Sequence, residues 1–201
     1  MGMIRAHVNS PRLKSTDLMA LLTLDAPNFD QPLHLMHSHH LRSEQRAALL
    51  ARLNSHVRAG GCDDQARQTA SHILRHFDET GNQHHEDEEI GLFPATLGAV
   101  PTHTRRSLRA LTDHLVQQHR DLSRLWDAVR SQLITMIEGK SALLDEALCN
   151  RFHTICVAHI EHEEGELLPI AHRWLAHSTL DLMGKQMKER RNIAASQGYM
   201  S

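Results

Sequence analysis

Residues 84–94 read His-His-Glu-Asp-Glu-Glu-Ile-Gly-Leu-Phe-Pro, and residues 159–169 read His-Ile-Glu-His-Glu-Glu-Gly-Glu-Leu-Leu-Pro. Aligned without a gap, the two stretches share the pattern H-x-x-x-E-E-x-x-L-[F/L]-P. A histidine and a glutamate four residues apart lie on one face of a helix, one turn from each other. Their imidazole nitrogen and carboxylate are placed to bind one metal ion, or two ions that share the carboxylate. A single copy is a common surface feature, but two copies in the same register indicate a metal site.

The composition favours one all-α domain. The chain has 201 residues, enough for a single well-buried core, and only 3% of them are aromatic. This aromatic-poor composition, without runs of β-branched residues, favours helices over sheets. A net charge of −2 gives no electrostatic reason to expect binding to nucleic acid or to an anionic membrane.

The sequence fits a cytoplasmic protein. Its three cysteines, Cys62, Cys149 and Cys156, have no C-x-x-C spacing, so we expect neither a disulfide framework nor a zinc knuckle. No apolar run approaches the roughly 20 residues that span a bilayer. The first residues lack a convincing small-residue cleavage site, and we therefore expect no signal peptide.

Four long helical patterns lie between a loose arm at 1–30 and a short helix and polar tail at 178–201. The patterns run from 31 to 58, from 63 or 64 through 94–101, from about 102 to 139, and from 141 through 169. A bend is expected near Gly81, and Pro169 either kinks or ends the last pattern. A final amphipathic segment is predicted over 180–191. Short connections predict an up-down-up-down four-helix bundle over 31–177.

Each long pattern carries one histidine on an otherwise apolar stripe. Alone, His40 or His119 would more often be a hydrogen-bonded core residue, but the two His/Glu pairs favour ligation. Buried imidazoles and carboxylates are costly without partners, and metal ions remove that cost. Six ligands with two shared carboxylates suit a pair of octahedral ions such as iron or manganese better than one tetrahedral zinc ion. The predicted ligands are His40, His84, Glu88, His119, His159 and Glu163.

Other candidates surround this set. His37 and Glu44 lie one turn from His40, where each is either a further ligand or a partner that orients an imidazole. Cys156, one turn before His159, is either a pocket residue or an ordinary small buried one. Three neighbours of the motif residues are expected to be exposed, namely His39, His85 and His162. Four histidines lie out of phase with the site, namely His72, His76, His114 and His153.

Across about 28–177 the chain resembles the hemerythrin-like, or HHE cation-binding, family. The matching residues are Pro32-Leu33…His40, His84-x-x-x-Glu88-Glu89-x-x-Leu92-Phe93-Pro94, His119-x-x-Leu122-x-x-Leu125-Trp126 and His159-x-x-x-Glu163…Leu168-Pro169. The resemblance implies a four-helix bundle that holds a non-haem, carboxylate-bridged di-iron centre. It also implies that the four histidines of the predicted set coordinate iron while Glu88 and Glu163 bridge.

The chain departs from the oxygen-carrying members of that family. Those proteins have a second histidine one turn from the single histidine of the third helix, where this chain has Leu115 and Ser123. They also end with a His/Asp pair five residues apart, whereas His159 and Glu163 are four apart. These differences argue against simple oxygen carriage. The symmetric ligand set is closer to bacterial iron–sulfur-cluster repair proteins, which usually carry a cysteine-containing N-terminal domain, whereas no cysteine precedes Cys62 in this sequence.

We therefore expect a di-iron protein that binds or senses O2 or NO, or that serves iron homeostasis and stress protection, rather than an enzyme. Repair of iron–sulfur clusters is an alternative. A ferritin-like oxidase is a weaker one, because its Glu-x-x-His pattern occurs nowhere in the sequence. A further alternative is a metal-free interaction module that uses 180–191 as its contact surface.

Overall fold

The computed structural model describes residues 28–140 and 143–198, the last six of them by backbone alone, and these residues form helices and no β-strand. The helices are α1 Pro32–Gly60, α2 Asp64–His76, α3 Asn82–Glu86, α4 Phe93–Ala99, α5 Thr102–Ile137, α6 Glu146–His162, α7 Leu168–Trp174 and α8 His177–Gly198. Three π-helical segments join some of them, namely π1 Phe77–Gly81, π2 Asp87–Leu92 and π3 Glu163–Leu167. The all-α prediction is confirmed. The predicted arm at 1–30 lies almost wholly outside the described residues.

Four long helical elements form a closed ring of contacts. Helix α1 packs against α2 and α6, and α5 packs against the same two helices. Continuous helix over 64–99 and over 146–174 extends two of these elements past the site, through π2 and π3. This ring creates an interior to which every long element contributes one side.

The apolar core consists of two clusters with a gap between them. One cluster contains Leu50, Val129 and Phe152, and the other contains Met36 and Leu115. Along α1, buried apolar residues of the two clusters stand on either side of His40, and along α5 they stand on either side of His119. The polar site therefore lies in the middle of the bundle, with apolar packing above and below it.

Side-chain caps set the beginnings of two elements. The carboxylate of Asp63 accepts a hydrogen bond from the backbone N–H of Ala66 and so caps the start of α2. Helix α6 begins at Glu146 rather than at 141, so that part of the prediction was wrong. Its cap is Asp145, which accepts from the N–H of Leu148. The buried Asn54 side chain forms hydrogen bonds of 2.9 Å with both backbone groups of Leu144. These bonds hold Leu144, the residue before the cap, outside the helix.

Neither motif proline ends its helix. The N–H of Phe93 donates to the carbonyl of Glu88, and that of Leu168 donates to Glu163, so both ladders are already shifted to i→i−5 there. The prolines that follow stand in the first turns of α4 and α7, where a missing N–H is tolerated. The run that contains Pro94 ends at Ala99, just before Pro101, as predicted.

Helix α8 is longer than the predicted segment 180–191 and packs on α1 and π2. A Cβ at Gly184 would lie 1.8 Å from the carbonyl oxygen of Phe29, so only glycine permits this approach. Arg190 and Arg191 both pair with the fully buried carboxylate of Asp87 at 2.7 Å. The C-terminal helix is thus fastened to the segment that carries Glu88 and Glu89. Among the described residues, no helix has the length and apolar character needed to cross a membrane.

Candidate metal centre

The structure brings all six predicted ligands together in the gap between the two apolar clusters. All six side chains are buried, and none is more than 4% exposed. They come from all four sides of the ring and are, as before, His40, His84, Glu88, His119, His159 and Glu163. We refer to them below as the six-residue cluster.

The cluster divides into two groups that share both carboxylates. In one group, His40 and His84 meet Glu88 and Glu163, with all four ligand atoms within 4.8 Å of one another. In the other, His119 and His159 meet the same two carboxylates within the same limit. Each group offers two imidazoles of its own, and the carboxylates lie between the groups. This is the arrangement expected of two ions bridged by two carboxylates.

Contacts in the first group are close to the spacing of metal ligands. The Nε2 atoms of His40 and His84 are 2.9 Å apart. Glu88 Oε1 lies 3.0 Å from Nε2 of His84, and Glu163 Oε2 lies 2.9 Å from Nε2 of His40. Neighbouring ligand atoms of an octahedral ion with bonds of about 2.1 Å are about 3.0 Å apart. The first group thus already has the spacing of a shell around one small ion.

The second group is slightly wider. Nε2 of His119 lies 3.4 Å from Oε2 of Glu88, and Nε2 of His159 lies 3.3 Å from Oε2 of Glu163. The other oxygen of Glu163 is 3.9 Å from His119. Glu88 therefore directs one oxygen toward each group, while Glu163 leans toward His40 and His159.

The cluster contains buried polar atoms that form no hydrogen bond within the part of the chain that the structure describes. They are both oxygens of Glu88, both oxygens of Glu163, and the Nε2 atoms of His119 and His159. Leaving a buried polar atom unpaired costs about 1–3 kcal/mol, and more if it is charged. Six such atoms at one point would be a large penalty, and cations bound between them remove it. The donor set therefore fits a pair of metal ions.

His40 and His119 each contact two consecutive glutamates, one at each ring nitrogen. His40 donates from Nδ1 to Oε1 of Glu164 at 2.5 Å, while its Nε2 faces Glu163. His119 donates from Nδ1 to Oε1 of Glu89 at 2.7 Å, while its Nε2 faces Glu88. A hydrogen bond at Nδ1 fixes the tautomer and aims Nε2 at the metal.

The second glutamate of each motif copy was given no role by the sequence interpretation. The signal was present, because Glu89 and Glu164 are repeated in register just as the ligands are. Their partners, however, are on other helices, in the other half of the chain. His159 has an orienting contact of its own, because its Nδ1 lies 3.3 Å from Oε1 of Gln118.

Electrostatics keep the carboxylates ionised and protonate part of the imidazole set. Burial lowers the pKa of His40, but the adjacent carboxylates of Glu163 and Glu164 outweigh it and raise that pKa well above its ordinary value. Burial raises the pKa of Glu88, but His84 and His40 outweigh it and hold that pKa well below its usual range. For His119, burial dominates and lowers the pKa. An ion bound by His40 would therefore have to displace a proton from its ring.

Several neighbouring histidines differ from their predicted exposure. His39 is only 5% exposed and stacks on His84 with ring centroids 4.0 Å apart, so the prediction of exposure was wrong there. His85 and His162 are partly buried. His76, placed out of phase with the site, is buried and bonded through Nε2 to Ser43 at 2.9 Å. In a closed ring, the residue next to a ligand faces the adjacent helix rather than solvent.

His37 and Glu44 were open candidates. His37 is exposed and contacts Glu164 through Nδ1 at 2.9 Å, so it supports the partner of His40. Glu44 is exposed and joins none of the ligand groups found among the described residues. A third such group consists of His85, His119 and His159.

An inner cavity of about 50 Å³ adjoins the cluster. Its polar lining includes His40, His84 and His159. Its remaining wall is largely apolar and includes Phe77, Leu122, Trp126, Phe152, Cys156 and Ile160. A water molecule needs about 10–15 Å³ of such space, so the cavity admits a molecule of only a few atoms.

Comparison with known proteins identifies the family of this chain. A curated relative from Haemophilus influenzae, described as an uncharacterized protein, is 27% identical over 165 residues, which cover 82% of this chain and 92% of the relative. The sequence model of the hemerythrin HHE cation binding domain matches residues 31–171, a range that contains the whole six-residue cluster. The chain therefore belongs to the hemerythrin HHE cation-binding family.

Proposed function

We propose that this protein binds two non-haem iron ions in the six-residue cluster and uses them to bind or sense O2 or NO, in iron homeostasis or stress protection. The observation that carries the proposal is the division of the cluster into two groups with two shared carboxylates. The unpartnered oxygens of Glu88 and Glu163 support it, because two cations satisfy all four at once.

The donor set favours iron over zinc. Structural zinc is almost always four-coordinate with nitrogen and sulfur ligands, whereas imidazole mixed with carboxylate suits iron, with manganese as the other candidate. The nearest cysteine thiol is that of Cys156, whose pKa burial raises to about 12, so it stays protonated and does not compete as a ligand.

Residues around the six-residue cluster orient the candidate ligands and keep water out of the site. Glu89 and Glu164 aim His119 and His40, while the two apolar clusters exclude water from both ends of the site. When bound, iron would supply open positions for a diatomic molecule and a one-electron redox change. At the two positions one turn from His119, where oxygen carriers have a further histidine, this chain has Ser123 and the fully buried Leu115, and neither supplies an imidazole. This favours sensing or protection over carriage.

We also take the four long helical elements to run up-down-up-down, because elements that follow one another along the chain also pack together. We place the protein in the cytoplasm, since all three cysteines are free thiols.

Metal analysis tests the proposal. Protein from iron-replete cells should contain about two iron atoms per chain, as two carboxylate-sharing groups require, and its visible spectrum should change on exposure to NO or O2. His84→Ala and His159→Ala should abolish both, while the exposed control His72→Ala should abolish neither. Normally folded, metal-free protein from such cells contradicts the proposal.

A further inference from the structure

His85 directly follows the candidate ligand His84 but lies outside the six-residue cluster. Its ring stacks on that of His119, with centroids 3.9 Å apart and planes at 12°. It meets His159 edge-on at 5.8 Å. No described residue forms a hydrogen bond with either of its ring nitrogens. Stacking therefore holds this ring in place, without the directional contacts that fix His40 and His119.

Two spaces meet at His85. The inner cavity beside the cluster lies on one side. On the other side is a surface groove of about 760 Å³, whose wall includes Glu89 and Arg120. Three residues line both spaces, namely Asn82, His85 and Ser123. Asn82 and Ser123 are exposed, so the partly buried ring of His85 is the side chain that lies between the groove and the cavity.

The duplicated motif differs at this position. The residue that matches His85 in the second copy is Ile160, which is 9% exposed and belongs to an apolar cluster. The second half of the site is thus closed by a packed aliphatic side chain. The first half is closed by a ring without hydrogen bonds. Rotation of the His85 ring about its side-chain torsions breaks its ring contacts with His119 and His159 but no hydrogen bond to a described residue.

We propose that His85 is the gate through which a small molecule passes from the groove to the inner cavity, with Asn82 and Ser123 as the frame. The molecule is neutral or singly anionic and has two or three atoms, because the cavity is about 50 Å³ and mostly apolar. The inference rests on the proposed function, since it takes the cavity beside the metal ions as the place where the molecule binds.

The first test needs no iron. Trp126 lines the inner cavity and not the groove, so quenching of its fluorescence by dissolved oxygen measures access to the cavity. The full chain is used in a Trp174→Phe background, which removes the other tryptophan. His85→Ala should raise the quenching rate constant severalfold, while His85→Phe, which keeps a stacked ring, should leave it close to that of the parent. Equal quenching in the alanine variant and the parent overturns the gate even if iron binds as proposed.

The second test uses the iron-loaded full chain and azide, followed by stopped-flow absorbance. A gate changes the association and dissociation rates of azide but not its dissociation constant. In His85→Ala we therefore expect association and dissociation to accelerate together, on the order of ten-fold, with an unchanged dissociation constant. His162→Ala is the matched control, because this partly buried histidine lines neither space. Loss of iron from His85→Ala would identify His85 as a ligand and overturn the gate, as would unchanged rates.

Discussion

Replacing Glu164 with alanine removes the acceptor that orients His40. In the structure, Nδ1 of His40 donates to Oε1 of Glu164 at 2.5 Å, while Nε2 of the same ring lies 2.9 Å from Glu163. Without Glu164, the ring loses the contact that fixes its tautomer and increases its basicity as a ligand. All six candidate ligands remain, so the variant tests orientation separately from ligation.

The expected loss is substantial. Removing an outer partner of a ligating histidine lowers metal affinity about 10- to 100-fold, or about 1.4 to 2.8 kcal/mol. The bond to Glu164 is short and charge-assisted, which favours a large effect. Because the Glu164 side chain is 30% exposed, however, water replaces part of the lost interaction. We therefore expect a loss near the middle of this range.

Anaerobic competition between the protein and a chelator of known iron(II) affinity measures this loss. Glu166→Ala is the matched control, because it removes the same charge from an exposed position of the same π segment. Glu164→Gln keeps an acceptor oxygen and should lose less affinity than Glu164→Ala. An unchanged affinity in Glu164→Ala, or an equal loss in Glu166→Ala, refutes the orienting role.

Three further predictions concern stability. Burial lowers the pKa of His76 to about 3, so the unfolded chain binds a proton that the folded chain does not as the pH falls below about 6.5. His76 thus lowers the free energy of unfolding by about 2 kcal/mol at about pH 5, and denaturant titrations should find this acid sensitivity reduced in His76→Gln. Asp87→Asn should lower the free energy of unfolding by about 3 kcal/mol. This is the low end for a broken buried ion pair, because the two arginines are 20% exposed. The control Asp181→Asn, at an exposed position, should change the free energy of unfolding little. Folding raises the pKa of His40, so protonation of this ring stabilises the metal-free fold below about pH 6.5, and the stabilisation is lost as the pH rises through the raised pKa. A bound ion, in contrast, needs the neutral ring. Chelation should therefore lower the melting temperature, and by more at about pH 8 than at about pH 6, in calorimetry.

The positions of the candidate ligands could be predicted because each ligand is in phase with the apolar residues of the helix on which it lies. Helical periodicity alone places His40 and His119 on inward faces, and the repeated pair does the same for His84 and His159. The partners of these ligands could not be found in this way. The contact of Glu164 with His40 joins residues 124 positions apart, and no local pattern encodes it.

Exposure and helix ends were predicted less well. His39 was expected on a solvent face because it sits beside the stripe, yet the neighbouring helix covers it with His84. Ser141 and Asp145 are both good capping residues, and sequence alone does not choose between them. The contact of Asn54 with Leu144 makes Asp145 the cap, and it depends on tertiary packing. The π segments escape prediction because one inserted residue barely alters the apolar pattern.

The orienting contacts exchange residues between the two halves of the chain. His40 in the first half of the chain is hydrogen-bonded to Glu164 in the second half, and His119 in the second half is hydrogen-bonded to Glu89 in the first. Each half thus completes the other, and neither builds a finished binding group by itself. An ion bound in one group would align the two shared carboxylates for the other group. Occupancy of the two positions should therefore be positively cooperative, with the singly loaded protein a minor species during titration.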